Sequence, residues 1–138
     1  TRDWSSDVCS SDLQSKYTFT AAGQQFIYLN GIIGEHLELP DDTVWSCVLN
    51  YTIQDDNLTG NYETGQLSFA LIKSGGIAAV SAITPINVIG GIGAHVFAIG
   101  INVAVTNLHR MYYTVSGGSF PDTFHIVTSL TYTQSKLS

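Results

Sequence analysis

Hydrophobic and polar residues alternate along this chain with a period of two. Over residues 43–54, Trp45, Cys47, Leu49, Tyr51 and Ile53 share one face. Ser46, Asn50, Thr52 and Gln54 share the other, with Val48 the exception. Successive side chains of a strand point to opposite faces, so this pattern predicts a long half-buried β-strand. Leu67, Phe69 and Leu71 repeat it over residues 66–73. Phe97, Ile99, Ile101, Val103 and Val105 repeat it over 95–106, where the alternates Ala98, Gly100, Asn102 and Ala104 are small. Phe124, Ile126, Leu130 and Tyr132 repeat it over 124–133. Shorter strands are predicted at 17–20, 25–29, 77–82 and 111–115.

Turn residues separate these runs. Ala22-Gly23, Asn30-Gly31, Pro40-Asp41-Asp42, Asp55-Asp56-Asn57, Ser74-Gly75-Gly76, Gly90-Gly91, Ser116-Gly117-Gly118 and Pro121-Asp122 stand where breaks are needed. No segment carries a helical stripe longer than two turns. Strands without intervening helices predict an all-β fold, an antiparallel β-sandwich of about eight strands, jelly-roll-like. Its expected core is Trp45, Cys47, Leu49, Tyr51, Ile53, Leu67, Phe69, Leu71, Phe97, Ile99, Ile101, Val103, Phe124, Ile126 and Leu130. The small face of residues 96–104 is the expected subunit contact, because a close neighbour fits against small side chains.

Residues 3–13 read DWSSDVCSSDL. That string resembles the translation of a short-read sequencing adapter. Residues 1–13 are therefore expected to be an artefactual leader, disordered or loosely packed, and are set aside before fold reasoning. The evolved part is expected to be one domain over 14–138, the C-terminal piece of a longer protein. Setting the leader aside leaves Cys47 as the one genuine cysteine, which rules out an internal disulfide framework.

Charge narrows the function further. The whole chain carries a formal charge of −6. Without Arg2, Asp3, Asp7 and Asp12, four basic and eight acidic residues remain. So few lysines and arginines form no basic patch, and no nucleic-acid partner is expected. The apolar run over 77–105 is broken by Ser81, Thr84, Pro85, Asn87 and glycines, so no membrane insertion is expected. Charged residues are only 12%, and the neutral polar surface this implies is common in β-rich proteins that assemble on themselves.

Catalytic constellations are sparse. His36, His95, His109 and His125 show no metal-binding spacing, and a transition-metal site would need partners converging from separate strands. His95 and His125 are read as lying on the polar or small faces of their strands. Asp55-Asp56-Asn57 offers oxygens but lacks the glycine and distal glutamate of a calcium loop, so it reads as an acidic turn. Cys47 is in phase with Trp45 and Leu49 and reads as an inert buried thiol. No catalytic residue, metal or cofactor is expected. The candidates for ligand contact are Asn57, Asn61 and Tyr62, in the loop expected between Asp55 and Gly65, and Tyr112. A flat aromatic ring beside amides suits a sugar ring.

The segment His36-Leu37-Glu38-Leu39-Pro40-Asp41-Asp42-Thr43-Val44-Trp45 leads into the long strand. Residues 66–76 follow with a strand ending in a serine-glycine-glycine turn, then a small-residue strand at 100–106. A hairpin at 108–117 and a threonine-rich last strand at 124–134 complete the series. This order resembles the C-terminal tip domains of bacteriophage tail fibres and related phage structural proteins. The chain departs from that pattern in three places. Phe124 or Tyr132 stands where the family commonly carries a tryptophan, the link over 83–94 is more apolar, and the loop 119–123 lengthens the last hairpin. The resemblance implies a homotrimer at a virion surface that binds a host-cell receptor, a surface glycan or protein. It transfers no functional residues. Two other readings stay open: a monomeric carbohydrate-binding or lectin-like module, and a purely structural phage head or neck decoration domain.

Overall fold

The computed structural model describes residues 7–26, 37–56, 60–103 and 108–137, with residues 7–17 as backbone. The alternation over the forties and fifties becomes a thirteen-residue strand whose odd positions are all buried and whose even positions are exposed, apart from the half-buried Val44. In chain order the strands are β1 (Asp7–Phe19), β2 (Gly23–Phe26), β3 (Thr43–Asp55), β4 (Tyr62–Ser74), β5 (Ile77–Val80), β6 (Thr84–Gly91), β7 (Val96–Asn102), β8 (Arg110–Ser116) and β9 (Asp122–Lys136). No helix occurs among the described residues, so none there is long and apolar enough to cross a membrane.

Two antiparallel sheets form. The larger has the order β1-β9-β3-β4-β5, with β6 also paired to β4. The smaller has the order β2-β8-β7. Their facing sides enclose one core, as an antiparallel β-sandwich requires. Leu49, Ile53, Leu71, Phe124, Ile126 and Leu130 come from the large sheet, and Met111, Tyr113 and Val115 from the small one. Each such side chain contributes about 1.5–3 kcal/mol on burial. Trp45 stacks on Tyr132 with ring centroids 3.7 Å apart, and its indole N–H donates to Gln134 Oε1 at 2.7 Å. That bond satisfies a polar group the core would otherwise strand.

The acidic pair before β3 has a structural use. Gly76 N–H donates to Asp41 Oδ1 at 2.8 Å and Gly75 N–H to Asp42 Oδ1 at 3.3 Å. Both glycines have positive φ, so this tight β4–β5 turn suits them and the aspartates hold it against β3.

The expected core is buried from Trp45 through Leu71 and again at Phe124, Ile126 and Leu130. Phe97, Ile99 and Ile101 pack against it partly buried. Val103 is half-buried but lies beyond the end of β7, which stops at Asn102. Three expectations are corrected. The glycine-rich link over 83–94 contains a full strand, β6, because Ile86, Val88 and Ile89 suit extended backbone and the unpaired edge of β4 accepts it. The long loop after Asp55 is shorter, since β4 already begins at Tyr62. Residues 7–13, expected outside the fold, extend β1 along β9 from Asp7↔Gln134 to Leu13↔Thr128. A ladder needs only backbone donors and acceptors, so the free edge of β9 pairs with an extended chain whatever its side chains.

Truncating Leu49 to alanine should cost about 2–5 kcal/mol, because its site is fully enclosed. Val48→Thr, on the 38% exposed neighbour, should stay within about 0.5 kcal/mol. Urea denaturation midpoints of the two variants check this contrast.

Candidate functional site

The buried phase of three strands runs past their apolar residues into polar ones. Asp55 continues the face of Tyr51 and Ile53, and Asp122 that of Phe124 and Ile126. His95, just before β7, shares the parity of Phe97 and Ile99. The strand ends converge, so one ligand atom from each of Asp55, His95 and Asp122 lies within 4.8 Å of the others. Asp55 is 1% exposed and Asp122 6% exposed. Backbone bonds fasten the place: Asp55 N–H donates to the Asn61 carbonyl and Asp56 N–H to the Thr123 carbonyl.

His95 is held from all sides. Its ring meets Phe120 and Phe124 edge-on, each with centroids 5.0 Å away. Nδ1 lies 2.8 Å from the Gly117 carbonyl and Nε2 lies 2.8 Å from Asp122 Oδ2. A carbonyl can only accept, so Nδ1 carries a proton and donates it. Nε2 is thereby aimed at the carboxylates. The turn after β8 wraps the imidazole closely. A Cβ on Gly118 would stand 2.8 Å from the His95 ring, and one on Gly117 would stand 2.8 Å from the Ala94 carbonyl oxygen. Both glycines also have positive φ. The second carboxylate oxygen of Asp122, Oδ1, accepts from Thr123 N–H at 2.9 Å. His95 is thus not on a polar strand face, as expected from sequence, but turned inward. The missed signal was parity: a charged residue in phase with a core face is an informative exception.

A second feature lies between β6 and β7. Tyr51, Glu63, Leu67, Ile83, Pro85, Val88, Phe97, Ala98 and Ile99 line a groove of about 320 Å³. Tyr51 O–H donates to Glu63 Oε2 at 2.8 Å. Burial, with the hydrogen bond and charge of Glu63, pushes the Tyr51 phenol well above its ordinary value. All eight residues of β6 are exposed. Ile86, Val88, Ile89 and, on β7, Val96 are exposed at 39–61%. The far face of β3, β4 and β6 is different in character. Asn50, Thr52, Thr64, Gln66 and Asn87 line a shallow depression there, with Gln66 Nε2 donating to Asn50 Oδ1 at 2.7 Å.

The residues expected to contact a ligand do not gather. Asn57 lies outside the described residues. Asn61 is half-buried and Tyr62, the first residue of β4, is exposed. Tyr112 sits in the small sheet, where its ring covers its cross-strand partner Gly100 so closely that a Cβ there would be 2.6 Å away. Of the small face of 96–104, Ala98 is exposed, Gly100 is covered by that ring, and Ala104 lies outside the described residues. Cys47 is buried and free, and desolvation pushes its thiol up to about 12, against its hydrogen bond with the backbone. His125 is exposed. His109 is buried, and its Nε2–H donates to the Ala79 carbonyl at 2.8 Å.

The fold and these features define an all-β antiparallel sandwich domain. Neither a scan of protein-family models nor a search of curated proteins found a match to the chain.

Gly118→Ala should displace His95, costing about 1–3 kcal/mol through the close approach and the positive φ together. Thermal unfolding and loss of the slowly exchanging His95 Nδ1–H signal in NMR check this. His109 supplies a pH test. Burial, assisted by the charge of Lys73, lowers its pKa below the ordinary 6.5, outweighing the carbonyls of Ala79 and Ile72, which raise it. Unfolding then takes up a proton below about pH 6.5, so stability is complete above that pH and is lost as pH falls toward the folded value. The melting temperature should fall more steeply between about pH 7 and pH 5 in the wild type than in His109→Gln.

Proposed function

We propose that this chain is a non-catalytic tip domain of a virion appendage, a phage tail fibre or related structure, that assembles as a homotrimer and binds a host-surface glycan. The observation that carries the assembly is the uncovered apolar strip of β6 and the start of β7. β6 holds no charged residue, and among the described strands it pairs only with β4. Edge strands in monomeric proteins are usually blunted by lysine or covered. Here Pro85 and an irregularity at Asn87 interrupt the edge, no lysine guards it, and the groove beside it is lined mainly by apolar side chains, with Glu63 and Tyr51 as its polar part. An exposed apolar patch of this kind marks an interaction surface. A second copy is the partner that fits best, because β6 itself holds no charge that would repel its own kind. The threefold number and the virion setting rest on the order of strands and turns that resembles tail-fibre tips.

The depression of Asn50, Thr52, Thr64, Gln66 and Asn87 supports the glycan. Its amides and hydroxyls match sugar hydroxyls without demanding charge. The same depression favours a second reading, a monomeric carbohydrate-binding or lectin-like module. Three weak sites on one rigid trimer would gain avidity through effective concentration, which a monomer lacks.

Light scattering on the full chain should give three times its 14.9 kDa mass. Ile89→Asp, at a 60% exposed position, should return it to a single chain with unchanged circular dichroism. A wild type that stays monomeric at every concentration would remove this reading in favour of the lectin-like module.

A further inference from the structure

We infer that Asp55, His95 and Asp122 form a binding site for a divalent transition cation of the zinc type. The inference is independent of the virion reading.

Three observations meet at this point. The first is composition. Two carboxylates and one imidazole, supplied by the end of β3, the start of β9 and the approach to β7, present one donor atom each within 4.8 Å. Donors about 2.0–2.2 Å from a tetrahedral zinc ion stand about 3.3–3.6 Å apart. Closing the set around an ion therefore takes side-chain movements of up to about an ångström.

The second is orientation. A metal-binding histidine usually donates its other ring N–H to a carbonyl or carboxylate, which fixes the tautomer and aims the free nitrogen. Gly117 does this for His95, while Phe120 and Phe124 hold the ring plane. Gly118 is shaped to the imidazole, since any larger residue would meet it. The nitrogen left over, Nε2, lies 2.8 Å from Asp122 Oδ2.

The third is charge. Two carboxylates are buried close together at this end of the sandwich. Like charges so placed oppose one another, and a cation between them relieves this. Within the cluster His95 Nε2 meets Asp122 Oδ2 at 2.8 Å. As the structure stands, Nδ1 and Nε2 both face acceptors. A metal ion would take the Nε2 lone pair in place of the contact with Asp122, with the two carboxylates turned onto the ion.

The donor set selects the ion. Calcium and magnesium take six or more oxygens and shun imidazole, whereas mixed nitrogen and oxygen sets suit zinc and its first-row neighbours.

The experiment uses the full chain stripped with EDTA. Thermal unfolding and calorimetric titration are recorded with ZnCl₂, CoCl₂ and CaCl₂, for the wild type, Asp55→Asn, His95→Gln and the off-site control Asp41→Asn. Zinc should bind one ion per chain and raise the melting temperature by about 5 °C or more at saturating metal. Asp55→Asn keeps the shape and relieves like charge, so it should fold and bind at least about tenfold more weakly. His95→Gln should behave likewise, and Asp41→Asn should match the wild type. Cobalt should give visible d–d bands that Asp55→Asn weakens. An absence of zinc binding would overturn the site. So would an equal zinc shift in Asp55→Asn, which would place the ion elsewhere, or a response to calcium alone.

Discussion

Residues 43–55 and 124–136 lie far apart in the chain, yet they pair antiparallel from Thr43↔Lys136 to Asp55↔Phe124. The rest of the structure hangs on the register of this β3–β9 ladder. A slip by one residue would turn Trp45, Cys47, Leu49, Tyr51 and Ile53 outward together. Several contacts pin it. Trp45 stacks on Tyr132 and bonds Gln134 near one end. There also Leu137 N–H donates to the Asp42 carbonyl, and at the other end Asp56 N–H donates to that of Thr123. The same register places Asp55 near Asp122, so the polar cluster is a consequence of how the core pairs.

The two layers are unequal, six strands against three. The small sheet covers the middle of the large one through Met111, Tyr113 and Val115. It leaves β6 bare, along with the start of β7. The interior is thereby satisfied within one chain while an apolar strip remains outside it. An isolated domain gains nothing from such a strip, whereas an assembling one does. His109 shows the opposite arrangement farther along the same edge of β4, where a buried imidazole just before β8 bonds the carbonyl of Ala79 on β5.

Much of this was legible in the amino-acid order. Strict alternation marks β3, β4 and β9, because each has one face in the core and one in solvent. β6 was not legible. Pro85 and the Gly90-Gly91 pair read as punctuation, and an apolar run without alternation carries no period for a strand exposed on both faces. Parity already placed Asp55, His95 and Asp122 in phase with buried residues. Nothing in the order shows that these three strand ends meet, since that depends on β9 lying beside β3 and β7 crossing above them. Tyr62 and Tyr112 looked equivalent as loop or surface aromatics. Only the pairing shows that Tyr112 has a cross-strand glycine to cover, while Tyr62 stands at the open start of β4.

The β3–β9 ladder closes the domain within one chain, and the proposed assembly would close the β6–β7 strip with another. Amide hydrogen exchange across a range of protein concentrations tests both halves at once. Exchange along β3 and β9 should be slow at every concentration, and protection of residues 84–91 should rise as the protein is concentrated. Fast exchange of residues 84–91 at every concentration, or early exchange along β9, would contradict this arrangement.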